Sequence, residues 1–499
     1  MLFRLARKHF FVFIALLFVA IIFYYPIINN RFLSDDYDSL YRICVERRIL
    51  FKELLRPLID ISFYLNYMIS GLRPWSYYIT NVAIHLINSF LLYRFALSFA
   101  LFNDRRREVF AIISAFLFLV YPFHNEAVAW LTGRVSSTAA LCAIIVLNLW
   151  VSSLKQGSKI LLCGFIYLVG LLSYESILLL PMIVWVLSIN SGVFPRQNLQ
   201  RLLYAVGFIL GAILLRFIIS GAVYANYGER MVTSSFNVYL ARALKTFGRS
   251  IMPPSENAAL LQIGFCVFIF FICWLHFRIA KKIGQVKEVW FNYQKLVVCF
   301  LLALILPMLF GISSRTSEGD RLLYFPSFFL CLLLSFWGLI TMTQKLARGA
   351  YFFLLFSYFI YFLVINNRQW EKASTAASAI FFAVNESKGK NIYFINMPDE
   401  LEGAYVFRNG FQKSLVLHNY DTTKILAINY LTRLEYLNLD STISVKKFPN
   451  HIMVPPVTRI ETNGVLYRLE NYTNKQSFLL TKQGSSVYYW NRRRLIRLF

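Results

Sequence analysis

Acidic residues are scarce in this chain of 499 residues. It has 25 Asp and Glu against 51 Lys and Arg, a formal net charge of +26, and only 6 His. In a soluble protein such a charge would suggest a nucleic-acid partner. Here the basic residues lie largely in short loops between apolar runs, as in membrane proteins, and no nucleic-acid motif is present. We therefore expect membrane lipids, and no nucleic acid, as partners.

The chain also lacks cysteine pairs, internal repeats and low-complexity tracts. Its 7 Cys are scattered, and none stands in a Cys-x-x-Cys or zinc-finger spacing. This distribution predicts neither disulfides nor a cysteine metal site. Without a repeat of fixed period, a solenoid or propeller is not expected.

Long apolar runs dominate what is present. Hydrophobic residues make up 58% of the chain and aromatic residues 17%. Runs of about 18 residues or more recur, each long enough to cross a hydrocarbon core of roughly 30 Å. The first run, residues 9–28, is followed by bulky Phe32 and Leu33 rather than a small-residue cleavage site, so we interpret it as a retained span. The pattern predicts a polytopic α-helical membrane protein.

Basic residues predict one orientation for about eleven transmembrane helices. Arg4, Arg7 and Lys8 place the N-terminus in the cytoplasm, and an odd number of spans places the C-terminal region outside. Residues 1–365 are predicted to be the transmembrane module with outer-face loops, including an amphipathic segment at 31–74 and a long loop at 221–257. Residues 366–499 contain no spanning run, and strand-like stretches such as Asn391–Ile395 predict a small soluble extracytoplasmic C-terminal α/β domain.

Ionisable residues collect in the loops assigned to the outer face. Such groups beside a bilayer are costly and usually functional, so we expect these loops to converge on one site. The residues concerned are Asp35, Asp36, Arg56, His124, Glu126, Arg134, Glu175, Arg315, Glu318, Asp320 and Arg321.

The adjacent acids Asp35 and Asp36 are the most suggestive of these residues. A carboxylate within hydrogen-bond reach can take the proton of an acceptor hydroxyl, and its neighbour can orient a group, bind a metal or raise one pKa. Arginines stabilise the negative charge that develops on a leaving phosphate. Acids in one loop and Arg315 and Arg321 in another therefore suit glycosyl transfer from a lipid phosphate.

Structural interpretations of the same residues stay open. The acid pair is also what a helix cap requires, and His124 with Glu126 fits a hydrated turn. Arg134 can pair with Glu126 across one helix start, and Glu175 fits a solvated loop. The arginines near residue 320 fit non-specific binding of lipid phosphate.

Four stretches of the sequence resemble membrane glycosyltransferases of the GT-C superfamily, in the branch of the protein O-mannosyltransferases and the transmembrane tetratricopeptide-containing mannosyltransferases. The stretches are Phe32-Leu33-Ser34-Asp35-Asp36-Tyr37, residues 56–67, Tyr121-Pro122-Phe123-His124-Asn125-Glu126 continuing to Arg134, and Asp320-Arg321-Leu322-Leu323-Tyr324-Phe325-Pro326-Ser327. They occur in family order within the first 330 residues, and the third is the most specific.

The resemblance implies a GT-C-like bundle of about eleven to thirteen helices, a sugar donor carried on polyprenyl phosphate, and inversion at the anomeric carbon. Asp35 matches the catalytic base and Asp36 its neighbour. Five residues match positions that line the site: Arg56, His124, Glu126, Arg134 and Arg321. We add four further substrate-binding candidates: Glu175, Arg315, Asp320 and Tyr324.

The chain departs from the animal members because no tetratricopeptide repeats follow the membrane part, so the acceptor is left open as a protein, lipid or glycan. No cofactor is predicted with certainty, and a divalent metal held by His124 and Glu126 stays open. The C-terminal segment resembles bacterial relatives, which suggests a bacterial inner membrane with residues 366–499 in the periplasm. The alternatives to a glycosyltransferase are a transporter or flippase of a lipid-linked or glycan substrate, disfavoured by the lack of repeated halves, and a non-catalytic scaffold.

Overall fold

The structure is a computed structural model that forms two compact units. The helical unit consists of Met1–Tyr25, Ile49–Ile69 and Ser76–Asn366, and the C-terminal unit of Pro26–Arg48, Ser70–Trp75 and Asn367–Phe499. The model describes residues 2–49, 56–99, 102, 104–189, 196–220, 236–255, 257–283, 286–431, 446–447, 451–454, 459–462, 465–468, 470–471, 478–491 and 493–499. The C-terminal unit thus includes the segment with the acid pair as well as residues 367–499.

Apolar runs form most of the helices. They are α1 (Leu2–Ile28), α2 (Asp35–Cys44), α3 (Pro57–Ser70), α4 (Trp75–Ala96), α5 (Asp104–Leu119), α6 (Glu126–Ala129), α7 (Arg134–Trp150), α8 (Gln156–Leu171), α9 (Leu180–Ser188), α10 (Arg196–Ser220), α11 (Phe236–Arg249), α12 (Ala258–Ile283), α13 (Lys287–Phe310), α14 (Tyr324–Thr341), α15 (Lys345–Glu386) and α16 (Phe411–Leu417). Local signals set several boundaries. Pro57 begins α3, where its missing N–H costs nothing, and Gly311, with φ +83°, ends α13.

Six helices in the described part of the chain are long and apolar enough to cross a membrane. They cover Arg7–Ile28, Asn198–Ile219, Ala259–Ile283, Lys287–Phe310, Asp320–Thr341 and Lys345–Glu386. Three shorter apolar helices cover Arg134–Trp150, Gln156–Leu171 and Glu175–Ser188. The multi-pass membrane character is therefore supported, whereas the count of eleven spans stays a prediction.

Helix α14 is the centre of the helical unit. All of its residues are buried, which agrees with a sequence that is apolar on every side. A helix of that kind must be covered by neighbours all round, whereas α10 and α12 leave most of their apolar residues at least partly exposed, as lipid-facing helices do. The N-terminal end of α14 consequently lies where side chains from several other helices meet.

The predicted long loop at residues 221–257 is partly helical. Residues 236–249 form α11, because their apolar and polar residues alternate with helical period, while residues 221–235 lie outside the described part. The amphipathic segment at 31–74 contains α2 and α3, of 10 and 14 residues, which are too short to span a bilayer.

The C-terminal unit contains the sheet region expected from the sequence. Its main sheet has the order β14-β13-β1-β5, in which β1 pairs in parallel with β13 and β5, and β14 is antiparallel to β13. Its strands are β1 (Asn391–Ile395), β5 (Ile425–Ala427), β13 (Ser485–Trp490) and β14 (Leu495–Arg497). Ile395, Ile428, Leu480 and Val487 form a buried core. The shorter described strands are β2 (Met397–Pro398), β3 (Glu400–Leu401), β4 (Ala404–Tyr405), β6 (Asn429–Leu431), β7 (Lys446–Lys447), β8 (His451–Val454), β9 (Arg459–Thr462), β10 (Val465–Arg468), β11 (Glu470–Asn471) and β12 (Phe478–Thr481).

Candidate functional site

Asp35 and Asp36 begin helix α2 in the C-terminal unit, and their surroundings differ. Asp36 is fully buried, and its Oδ2 accepts a hydrogen bond from the backbone N–H of Leu33 at 2.9 Å. Asp35 is partly exposed, and its Oδ1 accepts one from Nδ2 of Asn409 at 2.6 Å. The buried acid therefore helps to close the turn before the helix, which leaves Asp35 as the more accessible of the two.

The remaining predicted site residues belong to the helical unit, and most lie on or next to short 3-10 turns. These turns cover Pro122–His124, Glu175–Ile177 and Asp320–Leu323. Such turns are common at the ends of α-helices, where the chain changes direction. Arg134 instead begins α7, and Tyr324 begins α14.

Glu126 and Arg321 form an ion pair, although 195 residues separate them in the chain. The backbone N–H of Arg321 donates to Glu126 Oε2 at 2.9 Å, and the guanidinium pairs with Oε1 and lies 5.4 Å from the centre of the Trp130 ring. The Glu126 side chain is 1% exposed and that of Arg321 is 25% exposed. The acid therefore orients an arginine whose side chain remains partly exposed.

Asp320, the neighbour of Arg321, forms a second pair that is wholly internal. Both of its carboxylate oxygens accept from Arg249 Nη2, at 2.5 and 2.7 Å, and both side chains are buried. Arg249 also donates from Nε to the carbonyl of Ser313 at 3.1 Å. The pair joins α11 to the turn before α14. Arg315 is half-buried nearby, and its N–H donates to Ser313 Oγ at 3.3 Å.

Arg56 and Glu175 meet in a third cluster, which includes a residue that the sequence analysis missed. Arg56 Nη2 lies 3.9 Å from Glu175 Oε2 and over the Tyr174 ring, and Arg216 pairs closely with Glu175 Oε1. Glu175 is thus paired rather than only solvated. Arg216 had a detectable signal, because a charged residue within a long apolar run is usually functional.

His124 and Tyr324 lie inside the helical unit, where the alternative of a hydrated turn does not agree with their burial. His124 Nδ1 lies 2.9 Å from Ser327 Oγ, and its ring centre is 4.6 Å from that of Tyr324. The Tyr324 hydroxyl contacts His85 Nδ1 at 2.7 Å and accepts from Asn88 Nδ2 at 3.0 Å. Burial lowers the pKa of His124 well below its ordinary value, so its imidazole is neutral.

Arg134 is fully buried and joins three helices. Its Nε donates to Asn81 Oδ1 at 2.6 Å, and its Nη1 donates to Ser62 Oγ and Asn66 Oδ1, each at 2.8 Å. Its Nη2 donates to the Tyr77 carbonyl at 2.7 Å. These bonds connect α7 to α3 and α4, so Arg134 has an architectural task whether or not it also serves a substrate.

Gly133 precedes Arg134 at a close approach of two backbone segments. A Cβ at this position would lie 2.2 Å from the carbonyl oxygen of Glu126. We therefore expect Gly133→Ala to lower the free energy of unfolding by about 1–3 kcal/mol, because backbone atoms must shift to make room. Thermal unfolding in detergent checks this value. Gly207→Ala in α10 is the control, since its Cβ would meet nothing within 4 Å, and equal losses of stability in both variants would contradict the expectation.

The described residues contain no group of three or more His, Cys, Asp or Glu placed to hold a metal ion. A cavity of about 480 Å³ lies among α7, α8, α9 and α10, lined by side chains such as Tyr167, Trp185 and Arg201, and its lining includes none of the predicted site residues. The charged clusters described above are therefore separate from this cavity.

Parts of the chain are similar to known enzymes. Protein O-mannosyl-transferase TMTC2 of Mus musculus is 32% identical over 153 residues, which are 30% of this chain and 18% of the mouse protein. This part of the chain is therefore similar in sequence to a protein O-mannosyl-transferase. TMTC3 of Mus musculus is 38% identical over 93 residues, or 18% of this chain and 10% of that protein. Tmtc2 of Drosophila melanogaster is 27% identical over 172 residues, or 32% and 17%.

These relatives confirm the resemblance inferred from the four stretches. No model of a known protein family matches the chain. The matched stretches span less than a fifth of each of the three relatives. The activity of these relatives is therefore assigned to this chain only as a proposal.

Proposed function

We propose that the chain is an inverting glycosyltransferase that moves a sugar from a polyprenyl-phosphate donor to an acceptor hydroxyl. The observation that carries the proposal is the similarity to protein O-mannosyl-transferases. The sequence also contains the residue types that this chemistry requires, namely an accessible acid and arginines that are paired with carboxylates. The acceptor is a hydroxyl of a protein, lipid or glycan.

In the proposed reaction Asp35 is the general base. The acceptor oxygen forms a bond to the anomeric carbon as its proton passes to the Asp35 carboxylate. The bond from the anomeric carbon to the phosphate oxygen breaks, and its electron pair leaves with the polyprenyl phosphate. Attack opposite the leaving group inverts the configuration. Asp36 supports the base by holding the turn in which both acids lie.

Arg321 and Arg315 are proposed to bind the donor phosphate. A guanidinium stays charged at any physiological pH and offers parallel N–H donors to phosphate oxygens. The ion pair with buried Glu126 fixes the direction of the Arg321 side chain, while its partial exposure leaves surface for a ligand. Arg56 and Arg216 are a second arginine pair, held by Glu175.

Arg321→Gln is expected to raise the KM for the donor by roughly 10- to 150-fold, because one charge-assisted hydrogen bond contributes about 1.5–3 kcal/mol. Steady-state kinetics with lipid-linked sugar checks this. The substitution also leaves Glu126 buried beside an uncharged partner, so the double variant Glu126→Gln/Arg321→Gln is the control for that effect. A double variant with the donor affinity of the natural sequence would remove Arg321 from the binding site.

The orientation is part of the proposal. Arg4, Arg7 and Lys8 and the basic loops favour a cytoplasmic N-terminus, so the reaction takes place at the outer face, in a bacterial inner membrane. Labelling of single cysteines with a membrane-impermeant reagent in intact cells tests this. A cysteine in residues 366–499 should react, and one near Arg7 should not.

The decisive experiment for the activity is transfer by the purified full chain in nanodiscs. Radiolabelled polyprenyl-phosphate mannose is offered with a Ser/Thr-containing peptide, a glycan and a glycolipid, and nucleotide-linked mannose serves as the comparison donor. We expect a new glycosidic product only with the lipid-linked donor. Movement of the lipid-linked sugar across vesicles without such a product would instead favour a flippase.

A further inference from the structure

A loop of the C-terminal unit, residues 406–410 between β4 and α16, lies directly against the turn that carries the acid pair. We call it the buttress loop. The backbone N–H of Ser34 donates to the carbonyl of Val406 at 2.9 Å. In return the N–H of Asn409 donates to Ser34 Oγ at 3.2 Å, and its Nδ2 donates to Asp35 Oδ1 at 2.6 Å. Three hydrogen bonds thus connect the loop to two consecutive residues.

Two backbone features show how closely these segments are fitted. Ser34 has φ +48°, a backbone conformation that residues other than glycine adopt rarely and at a cost in free energy. The surrounding contacts must therefore hold Ser34 in this conformation. Gly410 has φ +78°, and a Cβ there would lie 2.6 Å from the Ser34 carbonyl oxygen and 3.0 Å from Cβ of Tyr37. Only glycine satisfies both the conformation and the contact.

The buttress loop is itself anchored in the C-terminal unit. Arg408 donates from Nε to Asp399 at 3.1 Å and pairs closely with buried Glu400. The Phe407 ring stacks on Tyr37, with centres 6.1 Å apart and planes at 18°. The loop is therefore a fixed support rather than a passing contact, and the amide of Asn409 is held at a defined place.

We propose that Asn409 is a positioning residue for the Asp35 carboxylate. This inference rests on the proposed function, in which Asp35 is the base. A carboxylate at the start of a helix can rotate about χ2, and a hydrogen bond to one oxygen selects one orientation. An acceptor hydroxyl then meets the carboxylate at a fixed angle, and misplacement of such a group by about 1 Å can lower the rate a hundredfold.

The test compares Asn409→Ala with Gln412→Ala, which removes an exposed amide on the neighbouring helix α16. We expect Asn409→Ala to lower kcat about 10- to 100-fold, with the KM of the donor and the unfolding midpoint nearly unchanged. The kcat of Asn409→Asp should be lower still near neutral pH, because this substitution places a second carboxylate beside that of Asp35. Activity of Asn409→Ala equal to that of Gln412→Ala would overturn the inference.

A double-variant cycle separates this inference from the proposed function. If Asn409 acts through Asp35, Asp35→Asn/Asn409→Ala loses no more activity than Asp35→Asn alone. Additive losses would show that Asn409 works independently of the base and would overturn its positioning role. If Asp35→Asn is itself fully active, the base assignment fails, and the positioning role fails with it. An inactive Asp35→Asn beside a fully active Asn409→Ala contradicts the positioning role alone.

Discussion

Asp35→Asn is expected to lower sugar transfer about 10²- to 10⁴-fold without a loss of folded protein. Asn has the same shape as Asp but cannot take a proton from the acceptor hydroxyl. Its side-chain oxygen can still accept the hydrogen bond from Asn409, so the turn before α2 is kept. The rate of product formation with lipid-linked sugar, at saturating donor, measures the effect.

Asp38→Asn is the matched control for this variant. Asp38 lies on the same helix, is partly exposed and pairs with Lys413 at 2.7 Å. Such surface pairs contribute little to stability, so this variant should keep both fold and activity. Asp36→Asn should affect stability more than the rate of transfer, because Asp36 is buried against the Leu33 N–H. Comparable activity of Asp35→Asn and Asp38→Asn would remove Asp35 as the base.

Among the proposed variants, Arg134→Met is expected to lower the free energy of unfolding most, by about 3–5 kcal/mol. The guanidinium donates to four oxygen acceptors and lies 4.7 Å from the centre of the Phe63 ring. Met fills much of the volume but leaves buried acceptors on α3 and α4 without these donors, and each such loss costs about 1–3 kcal/mol. Unfolding of the purified chain in mixed micelles, followed by tryptophan fluorescence, measures the change.

Arg278→Met provides the comparison, since Arg278 is exposed on α12 with its guanidinium 5.3 Å from the Trp274 ring. Its loss should change the free energy of unfolding by less than about 0.5 kcal/mol. If Arg134→Met unfolds like Arg278→Met but no longer binds donor, then Arg134 is a substrate ligand and not the architectural residue that its contacts indicate.

The helices were largely predictable, because hydropathy is a property of consecutive residues. The apolar run at residues 9–28 lies within α1, and Asn391–Ile395 forms β1. The helix α11 was missed because its amphipathic residues lie inside a segment without a spanning run. The four stretches that resemble the mannosyltransferases likewise depended only on local order, and the resemblance they indicated is confirmed by the similarity of parts of the chain to such enzymes.

The charge pairs were not predictable in the same way. The sequence suggested Glu126 with Arg134, which are eight positions apart, whereas the structure pairs Glu126 with Arg321 and Asp320 with Arg249. Arg216 and Arg249 were missed because their partners lie 41 and 71 positions away. A salt bridge depends on the positions of two helices in space, and nothing in the nearby residues specifies that relation.

By itself the sequence determined that this is a helical membrane protein, similar in part to the mannosyltransferases, with an acid pair after its first apolar run. These conclusions follow from hydropathy and from short ordered motifs, and both can be recognised without knowing how the chain packs. Only the tertiary structure decided that Asp36 is buried in a turn while Asp35 stays accessible, and that Asn409, more than 370 positions away, holds it. Burial and hydrogen bonding between distant segments arise when those segments pack together, so they belong to the folded chain alone.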